Sequence, residues 1–339
     1  MNPTGKIIVL AYPDTFVTMS TEFICRLLPL VGLGTKTHIK AGHAALVLIE
    51  NKTGKMQYFD FGRYVTPPGM GRVRNATTDA ELVIPFSAAI SSENILQNLD
   101  EILLWLDANP QKTHGEGRLL ASVCNVIDFE LALNYMTKLQ KRGSIAYGAF
   151  DKTGSNCSRF VTDTILAATT DKKIKKALQF NKRFTPSTVG NVEKAAADKK
   201  IFQAYQGEVT QFKSSALKEN LKNYFDRNVP ESKLYQVKSK IPAQAQKLAG
   251  TGSNAWFELV AEEPLPQGYY RIRRYNDLHE IDYDGIYESN RFNLAKKFQF
   301  VYDSNCAYCT VVQDSQEIRL KGVKAFSKAT TSLQKEQLV

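Results

Sequence analysis

The chain has 339 residues and a formal net charge of +10, with 43% hydrophobic, 10% aromatic and 23% charged residues. That is a globular composition, with length enough for two domains, and it excludes a wholly disordered, collagen-like or coiled-coil protein. No apolar run reaches the roughly 18–20 residues of a membrane span, and the longest, 23–33, is interrupted by Arg26.

Lys6 and the run Ile7–Ala11, stopped by Tyr12-Pro13-Asp14, are too short for a secretory-signal core of about 7–15 apolar residues; the run reads as a first strand and the expected location is the cytoplasm. An apolar helix is expected near 20–30. Ala44–Ile49 is a continuous apolar run, and beyond Glu50-Asn51-Lys52-Thr53-Gly54-Lys55 the segment Gln57–Phe61 alternates aromatic and polar residues, so the two form a hairpin. Residues 92–106 and 117–141 show helical spacing, as in Ile95, Leu99, Ile102 and Leu103, and in Leu119, Val123 and Val126. After the polar Gly154-Ser155-Asn156, Cys157–Ala167 reads as a helix through Phe160, Val161, Thr164 and Ile165, with Ser155 or Asn156 as its cap. Residues 171–205 continue as basic helices broken at Phe184-Thr185-Pro186-Ser187. Past about 206, Pro230, Pro242 and Gly250–Ser253 mark linkers, and Trp256–Val260, Tyr269–Arg273, Phe298–Tyr302 and Cys309–Val312 read as strands. The expected division is therefore an α+β domain over 1–205, a basic helical or linker segment over 206–250, and a smaller β-rich domain over 251–339.

Residues 171–248 hold fifteen Lys and two Arg against seven acidic residues, which accounts for the whole positive excess. Such a stretch is either a surface for an anionic partner (nucleic acid, lipid head groups, an acidic polymer) or a set of solvated helices with Lys on their outer faces; no nucleic-acid motif accompanies it.

Five cysteines in a chain of this size are not a disulfide framework. Cys25 and Cys124 lie among apolar neighbours and read as core. Cys306 and Cys309 form a lone C-x-x-C in a strand-like region, without the second pair that a zinc site needs, and no other pattern implies a metal or a cofactor. Asp60-Phe61-Gly62 and Gly32-Leu33-Gly34 lack the context of the nucleotide-binding motifs they resemble. Cys157 differs, because a thiolate opening a helix faces unpaired amides and the positive end of the helix dipole. Of the four histidines, His43 begins an apolar strand, where a polar ring needs a partner. Asp60, between Phe59 and Phe61, needs one as well, so one pairing serves both. The ring is then either the base of Cys157 or a satisfied structural histidine. Arg63, Arg72 and Arg74, interleaved with Pro67-Pro68-Gly69 and Gly71, either line a cleft and bind a carboxylate or phosphate, or decorate an exposed loop.

Asn156-Cys157-Ser158-Arg159-Phe160-Val161 resembles the nucleophile segment of the NlpC-type papain-like superfamily, and equally the Asn-Cys-x-x-Phe-Val segment of its lecithin:retinol acyltransferase-like branch. Gly42-His43-Ala44 resembles the histidine strand of the same superfamily, and His before Cys is the order of its circularly permuted branch. Over about 40–170 the resemblance implies a permuted papain-like domain with an antiparallel sheet and a nucleophile helix. It implies Cys157 as nucleophile, His43 as base and Asp60 as the residue orienting it, with Tyr58 as second choice. Where acyltransferase-like members carry a second His, Lys55 is not one. Tyr58, Tyr147, Asn156 and Arg63 are the candidates for substrate or oxyanion contact. The implied activity is hydrolysis of an amide (peptidase or amidase) through a thioester. Acyl transfer or thioester hydrolysis on the same residues, and a non-catalytic binding module recruiting an anionic partner through 171–248, are the alternatives. The expected substrate is a peptide, amide or acyl compound.

Overall fold

The continuous apolar runs near the N-terminus become the central strands of a sheet covered on both faces. The computed structural model describes residues 3–151, 153–183, 185–230, 239–261 and 265–327. They fall into two compact units. The first comprises the described residues up to Gly62, then Gly69–Ala76 and those from Leu82 to Pro230; the second comprises Arg63–Pro68, Thr77–Glu81 and the described residues from Ser239 onward.

The elements of the first unit are β1 (Gly5–Tyr12), β2 (Val17–Thr18), α1 (Phe23–Leu27), β3 (His38–Ile39), β4 (His43–Glu50), β5 (Met56–Gly62), β6 (Met70–Arg74), α2 (Leu99–Asp107), α3 (Pro110–Thr113), β7 (Leu119–Ile127), α4 (Phe129–Lys141), β8 (Ile145–Ala146), α5 (Cys157–Ala168), α6 (Lys172–Asn181), α7 (Thr188–Ala195), β9 (Phe202–Tyr205), β10 (Glu208–Gln211) and α8 (Ala216–Tyr224). A 3-10 turn, Leu28–Val31, continues α1. Eight strands form one antiparallel sheet in the order β10-β9-β7-β1-β4-β5-β6-β8, and β2 and β3 form a separate pair. Alternate residues of β1 and β4 feed two cores. Ile7, Val9, Leu46 and Leu48 pack with Phe160, Val161 and Ile165 of α5, whereas Ile8, Leu10, Val47 and Ile49 pack with Ile102, Leu103 and Leu106 of α2. A strand buried on both faces has no polar side to alternate with, which is why these segments read as unbroken apolar runs.

The same burial explains a correction. Residues 119–127 are a strand, not the first half of a helix; β7 lies between β1 and β9, and only 129–141 is helical. With apolar residues on both faces, the helical spacing of Leu119, Val123 and Val126 carries no period of its own. Over 92–106 only α2 is helical, and the expected basic helices of 171–205 end at Ala195, before β9. The apolar segment near 20–30 is a five-residue helix and a 3-10 turn, with Cys25 its only buried residue.

The second unit is a seven-stranded antiparallel sheet built from β11 (Gln246–Leu248), β12 (Ala255–Val260), β13 (Tyr269–Tyr275), β14 (Ile281–Glu288), β15 (Gln299–Val301), β16 (Tyr308–Gln313) and β17 (Gln316–Ala325), in the order β11-β12-β13-β14-β17-β16-β15. Its two edges meet through Gln246, whose side chain accepts from Phe300 N–H at 2.7 Å and donates to Phe298 O at 3.4 Å, so the sheet nearly closes as a barrel. Phe257, Ile272, Tyr287, Phe300 and Leu320 fill the interior together with Val65 from the 63–68 segment. Cys306 and Cys309 are buried free thiols in this unit; burial pushes Cys309 up to about 12, and its Sγ donates to Asn305 O.

Arg274 is buried in the second unit and paired with three acids: Asp282 at 2.8 Å, Glu81 at 2.9 Å and Asp79 at 3.1 Å. Removing one member of a buried ionic cluster strands the others, at a cost of about 3–5 kcal/mol. Arg274→Ala is therefore expected to lower the unfolding free energy measured in urea by that much, and the midpoint with it. Lys296→Ala, which removes an exposed pair with Asp314, is expected to cost under about 1 kcal/mol. Equal midpoints for the two variants would contradict the assignment.

Candidate active site

β4 starts at His43 because Gly42 can enter the left-handed region, at φ +77°; a Cβ there would fall 2.8 Å from Thr188 Oγ1 and 2.9 Å from Tyr12 O. In the hairpin Ala45 is opposite Asp60, so His43, two residues earlier, shares a sheet face with Asp60 and is its diagonal neighbour. Asp60 in turn lies opposite Arg74 on β6.

Asp60 is fully buried and collects three partners. Arg74 grips it with two hydrogen bonds, Nε to Oδ1 at 3.0 Å and an η-nitrogen to Oδ2 at 2.7 Å. Tyr58 Oη donates to Oδ2 at 3.1 Å, and His43 Nε2 lies 3.3 Å from the same oxygen. The Arg74 guanidinium also donates to Lys112 O at 3.3 Å. Burial alone raises the carboxyl's pKa, but the Arg74 charge and the His43 hydrogen bond outweigh it and hold Asp60 below the usual carboxylate range.

Tyr12 stacks against the His43 ring with centroids 6.3 Å apart, and the ring lies near enough to the Cys157 thiol for each to shift the other's titration. Burial presses the imidazole toward neutrality, but the hydrogen bonds and charges of Asp60 and Cys157 prevail and raise it to about 9. Cys157 moves the other way. Burial raises it, and the His43 hydrogen bond and charge, the Ala44 N–H and the Ser158 side chain bring it below its ordinary value. The two shifts favour the thiolate–imidazolium form of the pair over the neutral one. The sign for stability follows: His43 titrates higher folded than unfolded, so its contribution is complete below about pH 6.5 and fades as pH rises through about 9.

The N-terminus of α5 is held by its own loop. Asn156 caps the helix, its Oδ1 accepting from Arg159 N–H at 2.9 Å and its backbone carbonyl from Phe160 N–H, while its Nδ2 donates to Gly148 O at 3.0 Å. Arg159 reaches back to Ala149 O, Gly154 O and Asp151 O. Glu22, just before α1, accepts from the N–H groups of Ala149, Phe150 and Asp151 at 2.6, 3.0 and 2.7 Å. The amides of Cys157 and Ser158 then stand at the open, positive end of the helix, where a developing oxyanion is stabilised. Behind the helix, Asn191 of α7 donates to Ser158 O at 2.7 Å and accepts from Thr162.

The structure thus brings Cys157, His43, Asp60 and Tyr58 together. The Asn156 side chain is occupied as a cap and loop staple. Tyr147 lies parallel to Phe61, with centroids 5.9 Å apart, as a packing residue. Arg63 belongs to the second unit, where its carbonyl accepts from Gly252 N–H at 2.9 Å. Arg72 and Arg74 neither line an open cleft nor decorate a loop; both are buried on β6. Sequence reasoning singled out Arg74 but not its place on a buried strand beside Asp60, although the alternation Gly71-Arg72-Val73-Arg74 is a strand pattern. It also missed Glu22, Arg159 and Tyr224. Tyr224, at the end of α8, is raised to about 12 by burial and by the negative charge of Cys157. Among the described residues no cluster of His, Cys, Asp and Glu could hold a metal.

Residues 7–174, just under half of the chain and including His43, Tyr58, Asp60, Arg74 and Cys157, match the family described as type VI secretion system effector TseH-like. Residues 245–323 match the family DUF6695 C-terminal domain. Among solved structures the chain is similar to the crystal structure of the type VI secretion system effector TseH, with 18% identity and a TM-score of 0.39, over 62% of this chain and 98% of that one. No curated protein matches.

Thiol chemistry tests the site directly. Cys157 is expected to react with iodoacetamide near pH 7 at least tenfold faster than Cys25 and Cys124, which burial raises to about 11 and about 12. Mass spectrometry across pH should give Cys157 an apparent pKa below the ordinary thiol value of about 8.5, rising in His43→Ala. An unshifted value in both proteins would dissolve the dyad.

Proposed function

We propose that this chain is a cysteine hydrolase with a permuted papain-like catalytic domain, cleaving an amide through a thioester on Cys157. One observation carries the reading: a thiol at a helix N-terminus and a buried imidazole shift each other toward the charged pair, and the imidazole is held by a carboxylate. That is the nucleophile, base and orienting group of thiol catalysis. A non-catalytic module of the same fold has no use for a thiol lowered at the cost of burying four charges.

The Cys157 thiolate attacks the carbonyl carbon, and the oxygen takes the negative charge toward the Cys157 and Ser158 amides. The His43 imidazolium gives its proton to the departing amine as the C–N bond breaks, leaving a thioester. Neutral His43 then takes a proton from water, the hydroxide attacks the thioester carbon, and collapse releases the acid and restores the thiolate. Asp60 holds Nε2 in place throughout, and Arg74 keeps Asp60 ionised. If an acceptor hydroxyl or amine takes the place of water, the same residues perform acyl transfer. The likeness of residues 7–174 to a type VI effector family supports reading the protein as a secreted bacterial effector whose substrate lies outside the cell that makes it.

A generic acyl donor checks this without knowledge of the substrate. With p-nitrophenyl acetate, wild type should release a burst of one nitrophenolate per chain and gain one acetyl on Cys157 by intact mass. Cys157→Ser should show neither, and His43→Ala should slow the burst about 10²–10⁴-fold. The burst rate should be bell-shaped in pH. Its alkaline limb lies near about pH 9, where His43 loses its proton, and it should move to lower pH in Asp60→Asn. Acetylation spread over lysines, with no dependence on Cys157, would refute the proposal.

A further inference from the structure

Helix α8 is inside out. Its polar residues Glu219 and Asn223 face inward, Glu219 paired with Arg118 at 3.0 Å and Asn223 donating to Pro13 O at 2.8 Å. Its apolar stripe Leu217, Leu221 and Phe225, spaced i, i+4 and i+8, faces outward, with Leu217 68% exposed. A soluble surface helix has the opposite arrangement.

The segment beside it does the same. In α1 and the 3-10 turn, Phe23 is 74% exposed, Leu30 80% and Val31 66%, with Leu27 also exposed. The two surfaces are continuous. Gly34 N–H donates to Tyr224 O at 2.8 Å, and a Cβ on Gly32 would touch the Phe225 ring at 3.5 Å. Half of the sixteen exposed large apolar residues recorded among the described residues therefore lie on two short neighbouring segments, a concentration that marks an interaction surface.

Charge identifies the occupant. The exposed charged residues of these segments are all basic: Arg26, Lys36, Lys218, Lys222 and Arg227. The acids there are engaged, Glu22 with three backbone amides, Glu219 with Arg118 and Asp226 with Lys40. Protruding apolar side chains ringed by Lys and Arg match an anionic lipid bilayer, which takes the apolar groups into its acyl region and the cations at its head groups. A nucleic acid would neutralise the cations and leave Leu30, Val31 and Leu217 in water.

We infer that α8 and the α1 segment form a docking surface for anionic membranes. The surface is tied to the nucleophile's own loop: Glu22, next to Phe23, accepts from the N–H groups of residues 149–151 ahead of α5. Docking brings the N-terminus of α5 toward the lipid interface, which makes acyl or amide groups presented at a membrane the accessible substrate class. That last step rests on the proposed hydrolysis, whereas the docking does not.

Flotation of the full-length protein with vesicles tests it. Wild type and Cys157→Ser should float equally with vesicles of 70% phosphatidylcholine and 30% phosphatidylglycerol, and at least tenfold less with phosphatidylcholine alone. The double variant Leu30→Asp/Phe225→Asp should lose at least tenfold in partitioning, as should Lys218→Glu/Lys222→Glu, and both should keep the wild-type circular dichroism and Cys157 alkylation rate. Raised salt should weaken wild-type binding. No flotation of wild type, equal flotation of the variants, or a concentration-dependent dimer that Leu30→Asp dissociates without any vesicle binding would each overturn the inference. Flotation with an inert Cys157 would instead count against the hydrolase alone.

Discussion

Asp60 lies fully buried between two phenylalanines, a place from which an isolated carboxylate is excluded unless it takes up a proton. It stays ionised because Arg74, one strand further on, meets both of its oxygens, and because Tyr58 donates to it from the same strand. That arrangement determines the state of the site. An ionised Asp60 holds His43 by Nε2 and favours its cationic form, and the cation in turn favours the Cys157 thiolate. When His43 and Cys157 are both charged, two positive and two negative groups alternate along this line, so the buried cluster is neutral overall. Its alternation follows from strand register: Arg74 opposite Asp60, and His43 diagonal to it.

The nucleophile depends on a second condition, that its helix end remain open. A loop preceding a helix usually supplies donors and acceptors that compete for the first-turn amides. Here the loop is satisfied elsewhere. Glu22 takes the N–H groups of residues 149–151, Arg159 and Asn156 take carbonyls from 148 to 154, and Asn156 itself covers the amides of Arg159 and Phe160. The two amides nearest the sulfur remain the donors at the open end, held on a rigid frame. A carboxylate anchored ahead of α1 and a guanidinium inside α5 therefore serve the nucleophile without approaching it.

The proximity of His43 and Asp60 was legible because each interrupts an apolar strand and strand period puts both on one face. The Cys157 helix was legible from its cap. What escaped detection shares a physical cause, namely that local pattern does not record burial. Arg72 and Arg74 follow Pro67-Pro68-Gly69 and so resemble a loop, yet β6 pairs with β5 immediately afterwards. Residues 119–127 are apolar on both faces and resemble a helix as readily as a strand. Arg63–Pro68 and Thr77–Glu81 belong to the second unit although its strands begin only at Gln246, and Asp79 and Glu81 look like ordinary surface acids until Arg274 is placed against them. The apolar 23–31 segment reads as core, since exposure on this scale has no signature in a single sequence.

The reversal of α8 has its own cause in the packing around His43. The chain leaving β1 through Pro13 and Asp14 must turn beneath Gly42, and its polar groups need partners there. Asp14 takes Arg118 in two hydrogen bonds at 2.9 Å, Arg118 takes Glu219, and Pro13 O takes Asn223. Lys40 bridges Asp14 and Asp226 at the end of the helix. Meeting these needs turns the polar side of α8 inward and leaves its leucines and Phe225 facing solvent. The corner that fixes the start of the histidine strand and the apolar surface of α8 are thus two faces of one helix, and neither is obtained without the other.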